Sequence, residues 1–181
     1  DQVGTVTGLA YTSFGGDILQ IEATRFTGKG RLVLTGQLGD VMKESASIAL
    51  DYVRTHANEF KIDPKLFEEN DVHIHVPEGA VPKDGPSAGV TMTTALVSCF
   101  SNIPVKANLA MTGEVTLRGN VLPIGGLKEK SLAAHRSGID TILIPKENVK
   151  DLDDVPQEVK DAVTFIPCSN VSQVLHNALV K

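Results

Sequence analysis

The feature that most constrains the fold is a short segment in which apolar and polar residues alternate without a break. In DVHIHV, residues 71–76, three β-branched apolar side chains fall on one side of an extended chain, with an aspartate and two histidines on the other. Such alternation predicts a strand with one buried face. Residues 40–58 instead carry apolar side chains at helical spacing, with Asp40 as the predicted N-cap. Helices packed against a sheet are therefore expected.

The rest of the chain also mixes strand-like and helix-like segments. We predict two strands on either side of a turn at Gly15-Gly16, strands at 30–36, 108–122 and 140–145, and helices at 86–100, 127–137 and from 171 onward. Residues 145–161 are predicted to form a polar connection. No linker divides the chain, so residues 1–181 are expected to form one α+β domain with a mixed sheet and packed helices.

Composition excludes several function classes. The net charge of −5 is spread without basic blocks and there is no Trp, so no nucleic-acid site is expected. The apolar runs are too short to cross a membrane. The two cysteines have no ligand spacing, which favours reduced structural thiols. Because the chain starts with Asp1 rather than Met, we expect it to be a piece of a longer polypeptide.

One serine stands where a loop gives way to an apolar run. In PKDGPSAGV, residues 82–90, Pro86 and Ser87 are predicted to lie in the first turn of a helix, where the hydroxyl could simply satisfy a free backbone N–H. The same position suits a nucleophile, since helix-start N–H groups stabilise an oxyanion. The stretch matches Gly-x-Ser-x-Gly but lacks the strand-to-helix context of a hydrolase elbow. Both interpretations remain open.

A nucleophilic serine needs a base, and a lysine fits better than a histidine. The sequence singles out none of the five histidines for a triad: His56, His73, His75, His135 and His176. A lysine base must lose its proton near neutral pH, which requires lowering its pKa by roughly 3 units through burial. On a helix, Lys130 shares an arc with Ala133 and Ala134, whereas Lys128 lies on a charged face. A snorkelling Lys130 is the ordinary alternative.

Three motifs together resemble the proteolytic domain of Lon, the ATP-dependent protease. They are VTGLAYTSFGGDIL, PKDGPSAG and MTGEVTLRGNVLPIGGLKEK, and the second has the form of the bacterial A-type branch. The resemblance covers almost the whole chain and implies the Lon proteolytic fold, which is like domain 2 of ribosomal protein S5. It also implies that Ser87 is the nucleophile and Lys130 the general base. Thr112 would be a supporting hydroxyl, and Asp84 would influence the arrangement of the dyad.

The resemblance further implies an endopeptidase that acts on unfolded or damaged polypeptides through an acyl-enzyme. It implies a hexameric ring in the full-length protein and an ATPase module, with ATP and magnesium, before this domain. The chain itself has no phosphate-binding loop, since Gly28-Lys29 lacks the preceding glycine, so no cofactor is expected here. The expected location is the bacterial cytoplasm, with the mitochondrial matrix as the alternative.

Other readings of individual motifs are weaker. His73 and His75 would project from one strand face, but a third ligand is missing, so no metal is expected. KDGPSAG at a helix start could cradle a phosphate, although no magnesium ligand or base-recognition element accompanies it. A silent assembly module is the last alternative, and the presence of both Ser87 and Lys130 argues against it.

Overall fold

The computed structural model describes residues 1–12, 15–77 and 83–180. Nine strands are described: β1 (Thr5–Thr12), β2 (Gly15–Thr27), β3 (Leu32–Thr35), β4 (Asn70–His75), β5 (Leu109–Met111), β6 (Glu114–Val115), β7 (Val121–Leu122), β8 (Thr141–Pro145) and β9 (Thr164–Cys168). The described α-helices are α1 (Asp40–Thr55), α2 (Leu66–Glu69), α3 (Gly89–Ser101), α4 (Leu127–Arg136), α5 (Gln157–Ala162) and α6 (Val171–Ala178). A 3₁₀ helix spans Lys146–Asp154.

The strands form one large mixed sheet and a small ribbon. The large sheet has the order β3-β4-β2-β1-β5-β8-β9, and β6 pairs with β7. The pairs β1–β2 and β2–β4 are antiparallel, whereas β1–β5, β3–β4, β5–β8 and β8–β9 are parallel. The predicted α+β class with a mixed sheet is therefore confirmed.

The alternating segment 71–76 forms β4, as predicted. Val72 and Ile74 are buried in the core, and the imidazoles of His73 and His75 both hydrogen-bond to Thr35 Oγ1 on the neighbouring strand, at 2.8 and 2.6 Å. These two histidines therefore have a protein partner in common. Within the described residues, no group of three or more His, Cys, Asp or Glu side chains is arranged to hold a metal ion.

Two hydrophobic clusters lie on opposite faces of the sheet. The larger one contains the apolar faces of α1, α3 and α6, and every residue of α3 except Ser101 is buried. The smaller one contains residues of α4 and α5. Strand β8 separates the clusters, because Ile142 and Ile144 belong to the smaller cluster and Leu143 to the larger. Helices thus cover both faces of the sheet.

Several local predictions were wrong. Gly15 and Gly16 are not a turn but the first residues of β2, paired with Thr12 and Tyr11, and positions 13–14 lie outside the described residues. Residues 145–161 are not a simple connection, since they hold the 3₁₀ helix and most of α5. Of the loop predicted before Ser87, positions 78–82 lie outside the described residues, and the structure describes it from Lys83 onward.

The predicted N-cap of α1 is also wrong. Asp40 is the first helical residue and Gly39 occupies the N-cap position without a side-chain hydrogen bond. The backbone N–H of Met42 instead donates to Asp84 Oδ1 at 2.9 Å, so a carboxylate distant in sequence caps the helix.

Both cysteines are free and buried, and burial raises the pKa of the Cys99 and Cys168 thiols to about 11. They are inert packing residues, in line with the predicted structural role. Among the described residues there is no helix with the length and apolar character needed to span a bilayer.

Candidate active site

Ser87 lies in a turn that immediately precedes the buried helix α3. The helix begins at Gly89 with Ala88 as N-cap, so Ser87 stands two residues before the first helical residue rather than within the first turn as predicted. The turn is fixed to the segment after β5, because Gly113 N donates to Ser87 O at 2.9 Å and Val90 N donates to Gly113 O at 3.0 Å. The nucleophile candidate therefore sits on a well-anchored backbone.

The Ser87 hydroxyl does not cap the helix. Within the described part of the chain, Ser87 Oγ has no hydrogen-bond partner, and the backbone N–H groups of Ser87 and Ala88 have no acceptor. Ser87 is half-buried. This arrangement argues against the ordinary interpretation of the serine as a helix cap, and it leaves two N–H donors beside a free hydroxyl.

Lys130 projects from α4 into the protein interior. Its residue is only 2% exposed, and Nζ donates to Thr112 Oγ1 at 3.2 Å. Among the described residues no carboxylate lies within 4 Å of Nζ, and burial lowers the pKa of Lys130 from 10.5 to about 8. Lys128, two residues earlier, is exposed. The helical-face prediction that separated these two lysines is confirmed.

Ser87 and Lys130 line the same cleft, which has a volume of about 620 Å³. Within the described chain, the structure records no hydrogen bond between Ser87 Oγ and Lys130 Nζ. Thr112 is buried behind the lysine. The cleft is lined by β1, the start of β2, one residue of α1, the turn before α3 and the loop before α4. Besides Ser87 and Lys130, the lining residues are Ala10, Tyr11, Thr12, Asp17, Leu19, Met42, Lys83, Asp84, Gly85, Pro86, Ala88, Pro123, Ile124, Gly125 and Gly126.

Asp84 lines the cleft but has no described hydrogen bond to Ser87 or Lys130. Its carboxylate caps α1 through Met42 N, and the backbone N–H of Gly39 donates to the neighbouring Lys83 O at 2.7 Å. A Cβ at Gly39 would lie 2.3 Å from Asp84 Cγ, so a larger residue there would have to displace this carboxylate. The structure therefore places Asp84 as an anchor between the Ser87 loop and α1.

Similarity to known proteins identifies the family of this chain. The family model described as the Lon protease (S16) C-terminal proteolytic domain matches residues 1–181. The chain belongs to this Lon family. It is 61% identical over 181 residues to a Lon protease of Brevibacillus choshinensis, covering 100% of this chain and 23% of that protein. It is 60% identical over 180 residues to Lon protease 1 of Bacillus subtilis (strain 168), covering 99% of this chain and 23% of that protein.

Lon protease 1 of Myxococcus xanthus is 59% identical over 180 residues, which cover 99% of this chain and 22% of that protein. The chain thus spans less than a quarter of the length of these Lon relatives. It corresponds to their proteolytic part, and the Ser-Lys dyad is the general mechanism of this family.

One contact beside the candidate site was missed by sequence reasoning. A Cβ at Gly16 would lie 2.0 Å from the carbonyl oxygen of Glu129, so the backbone of β2 packs directly on the backbone of α4, next to Lys130. Arg136 Nη2 also donates to Gly16 O at 3.3 Å. The glycine pair suggested a turn, and no local signal distinguishes a turn glycine from one required by a distant helix.

Thr112→Val is expected to lower kcat for peptide cleavage about tenfold, because it removes the hydroxyl that holds Lys130 Nζ while keeping the shape of the side chain. Thr112→Ser, which keeps the hydroxyl, should retain most of the activity. The check is a comparison of kcat for both variants at one pH. Equal activity of the valine and serine variants would contradict the supporting role of this hydroxyl.

Lys130→Met is expected to stabilise the fold at pH 7. Below pH 8 the folded chain must hold a poorly solvated ammonium, whereas between pH 8 and 10.5 the unfolded chain binds a proton that the folded chain does not. Wild-type stability therefore rises with pH across that window. The variant should exceed the wild-type free energy of unfolding by about 2 kcal/mol at pH 7 and lose this advantage toward pH 10.5. Urea unfolding at both pH values checks this, and a pH-independent difference would contradict it.

Proposed function

We propose that this chain is a serine endopeptidase in which Ser87 is the nucleophile and Lys130 the general base. The observation that carries the proposal is a buried lysine whose pKa is lowered to about 8, lining the same cleft as a serine with a free hydroxyl. Perturbed pKa values of this kind cluster at catalytic sites. A neutral amine at that position is a competent proton acceptor near physiological pH.

In the proposed mechanism, Lys130 Nζ takes the proton of Ser87 Oγ as the oxygen attacks a peptide carbonyl. The N–H groups of Ser87 and Ala88, which have no acceptor among the described residues, would donate to the oxyanion. Lys130 then returns the proton to the leaving amine, and water hydrolyses the acyl-enzyme with the same lysine as base. Ser87 and Lys130 would approach each other when a substrate occupies the cleft, because catalytic hydrogen bonds often tighten only in the complex.

We also propose that residues 1–181 form the Lon-type proteolytic domain of a longer chain. The support is that the chain spans only 22–23% of the relatives described above. In the full-length protein, an ATPase module with ATP and magnesium would unfold polypeptides and feed them to a hexameric ring of proteolytic sites. The proposed location is the bacterial cytoplasm, since the relatives described are bacterial; the mitochondrial matrix is the less favoured alternative.

Covalent labelling tests this proposal directly. The full-length protease is treated with a fluorophosphonate, which reacts with activated serine hydroxyls, and is then digested with trypsin. We expect the phosphonyl mass on the peptide 84–106, at Ser87, together with loss of cleavage of a fluorogenic unstructured peptide. Full loss of activity with the label on another residue would refute Ser87 as the nucleophile. Absence of any peptide cleavage by untreated protein would refute the activity.

A further inference from the structure

A buried asparagine outside the cleft makes a two-point contact with the cleft wall. Asn148 lies in the 3₁₀ helix and is its one buried residue, with 2% exposure. Its Oδ1 accepts from Ile124 N at 2.9 Å, and its Nδ2 donates to Ile124 O at 2.9 Å. The side-chain amide thus pairs with both backbone groups of one residue, as a neighbouring strand would.

A carboxylate fixes the orientation of this amide. Asn148 Nδ2 also donates to Asp151 Oδ2 at 2.7 Å. A flipped amide would place its oxygen against a carbonyl and a carboxylate, so only one orientation satisfies all the partners. Because the group is buried, the loss of any of these bonds would leave an unsatisfied polar atom. The contact is therefore a rigid one.

The contacted residue belongs to the loop that starts the Lys130 helix. Residues 123–126 connect β7 to α4 and line the cleft. Gly126 is the N-cap of α4, with φ +73°, and its carbonyl accepts from Lys130 N at 2.9 Å. The loop therefore contributes to the position of the lysine backbone, together with the packing of α4 on β2 at Gly16.

The loop is least restrained at Gly125, since Ile124 packs against the smaller hydrophobic cluster and Gly126 lies against Tyr11. It holds two consecutive glycines, and a Cβ at Gly125 would meet nothing within 4 Å. Ordering each such residue costs roughly 1–2 kcal/mol of backbone entropy. Asn148 is 24 residues away in sequence and supplies two hydrogen bonds at the midpoint of this connection.

We propose that Asn148 is a positioning residue for the peptidase reaction, which holds the 123–126 loop so that α4 presents Lys130 to the cleft. Asn148 itself does not line the cleft, so it would act on the reaction through the residues it holds, of which Ile124 is the one that lines the cleft. The inference rests on the proposed function, in which Lys130 is the base. It predicts an effect on the proton-transfer step rather than on substrate binding, since small misplacements of a catalytic group cost rate.

The test uses Asn148→Ala and Asn148→Asp in the full-length protease. The aspartate variant keeps the shape but places a carboxylate against Ile124 O and Asp151. Val149→Ala, at the adjacent exposed position, is the matched control. We expect both Asn148 variants to lower kcat about tenfold or more with KM changed less than about twofold. The control should match the wild type.

Two further readouts separate positioning from a loss of stability. As the loop loosens and water reaches Lys130, the rising limb of the pH profile of kcat should move from near pH 8 toward the ordinary lysine range. Amide hydrogen exchange, measured by mass spectrometry, should accelerate in peptides spanning 123–130 and stay unchanged in peptides spanning 141–145. If Asn148→Ala does not fold, Asp151→Ala, which removes only the third bond, should show the same changes at smaller size.

Unchanged kcat, pH midpoint and exchange in a folded Asn148→Ala variant would overturn the inference. A rate loss that disappears on cooling, with wild-type exchange at 123–130, would overturn it as well, because that pattern reports stability alone. The exchange readout does not require an active enzyme. Failure of the proposed function would instead appear as absent cleavage by the wild-type protease, whatever the exchange pattern.

Discussion

Ser87→Ala abolishes peptide cleavage and leaves the fold intact: this is the first expected result. The substitution removes only an oxygen that has no hydrogen-bond partner among the described residues, so it costs the fold little. It removes the atom that we propose forms the acyl-enzyme, and the cleavage rate should fall by about 10³-fold or more. The measurement is the initial rate on a fluorogenic unstructured peptide, with the melting temperature taken in parallel.

Ser137→Ala is a suitable control for this experiment. Ser137 is exposed at the C-terminal end of α4, away from the residues that line the cleft. Its variant should cleave the peptide at the wild-type rate and melt at nearly the wild-type temperature. A Ser87→Ala variant that kept more than about a tenth of the wild-type rate would show that another group starts the reaction.

The second large effect is expected at Lys130. Lys130→Ala removes the proposed base and should lower kcat by about 10³-fold, whereas Lys128→Ala, at an exposed position on the same helix, should leave it within about twofold. Wild-type activity should increase with pH through about 8, where Lys130 loses its proton. The measurement is kcat as a function of pH for the wild type and both variants.

Lys130→Arg tests whether the lysine acts as a base or only as a positive charge. The guanidinium stays charged at every accessible pH, so it could donate to Thr112 Oγ1 but could not take a proton from Ser87. We expect this variant to be as inactive as Lys130→Ala at pH 8 to 9. Substantial activity of the arginine variant, or equal losses at Lys128 and Lys130, would contradict the assignment of the base.

Features set by local periodicity could be predicted from the sequence. The alternation in 71–76 predicted β4, and the position of Lys130 among alanines predicted a buried side chain while Lys128 was predicted to be exposed. These features are predictable because the buried positions of a helix or strand recur with the period of that element, which can be read from the local sequence. The roles of Thr112 and Asp84 came only from the resemblance to Lon, and they stay predictions.

Features set by contacts between distant segments could not be predicted. Asp40 looked like the cap of its own helix, but the Met42 N–H of that helix donates to Asp84, 42 residues further along the chain. The Gly15-Gly16 pair looked like a turn, but Gly16 is required where β2 meets α4. The pairing of Asn148 with Ile124 has no local signature. In the first two cases a tertiary contact overrode the local preference, and in all three the contact is one that propensities do not encode.

The two hydrophobic clusters have a consequence for how the enzyme would respond to heat. The turn that holds Ser87 leads into the larger cluster through Ala88, whereas the start of α4 is packed in the smaller cluster through Leu127. The proposed nucleophile and base thus lie next to elements that pack in different clusters, and a loosening of the smaller cluster would shift one group relative to the other before the whole fold melts. On heating, peptide cleavage should therefore be lost at a lower temperature than the secondary structure, so activity reports the first loosening of this fold.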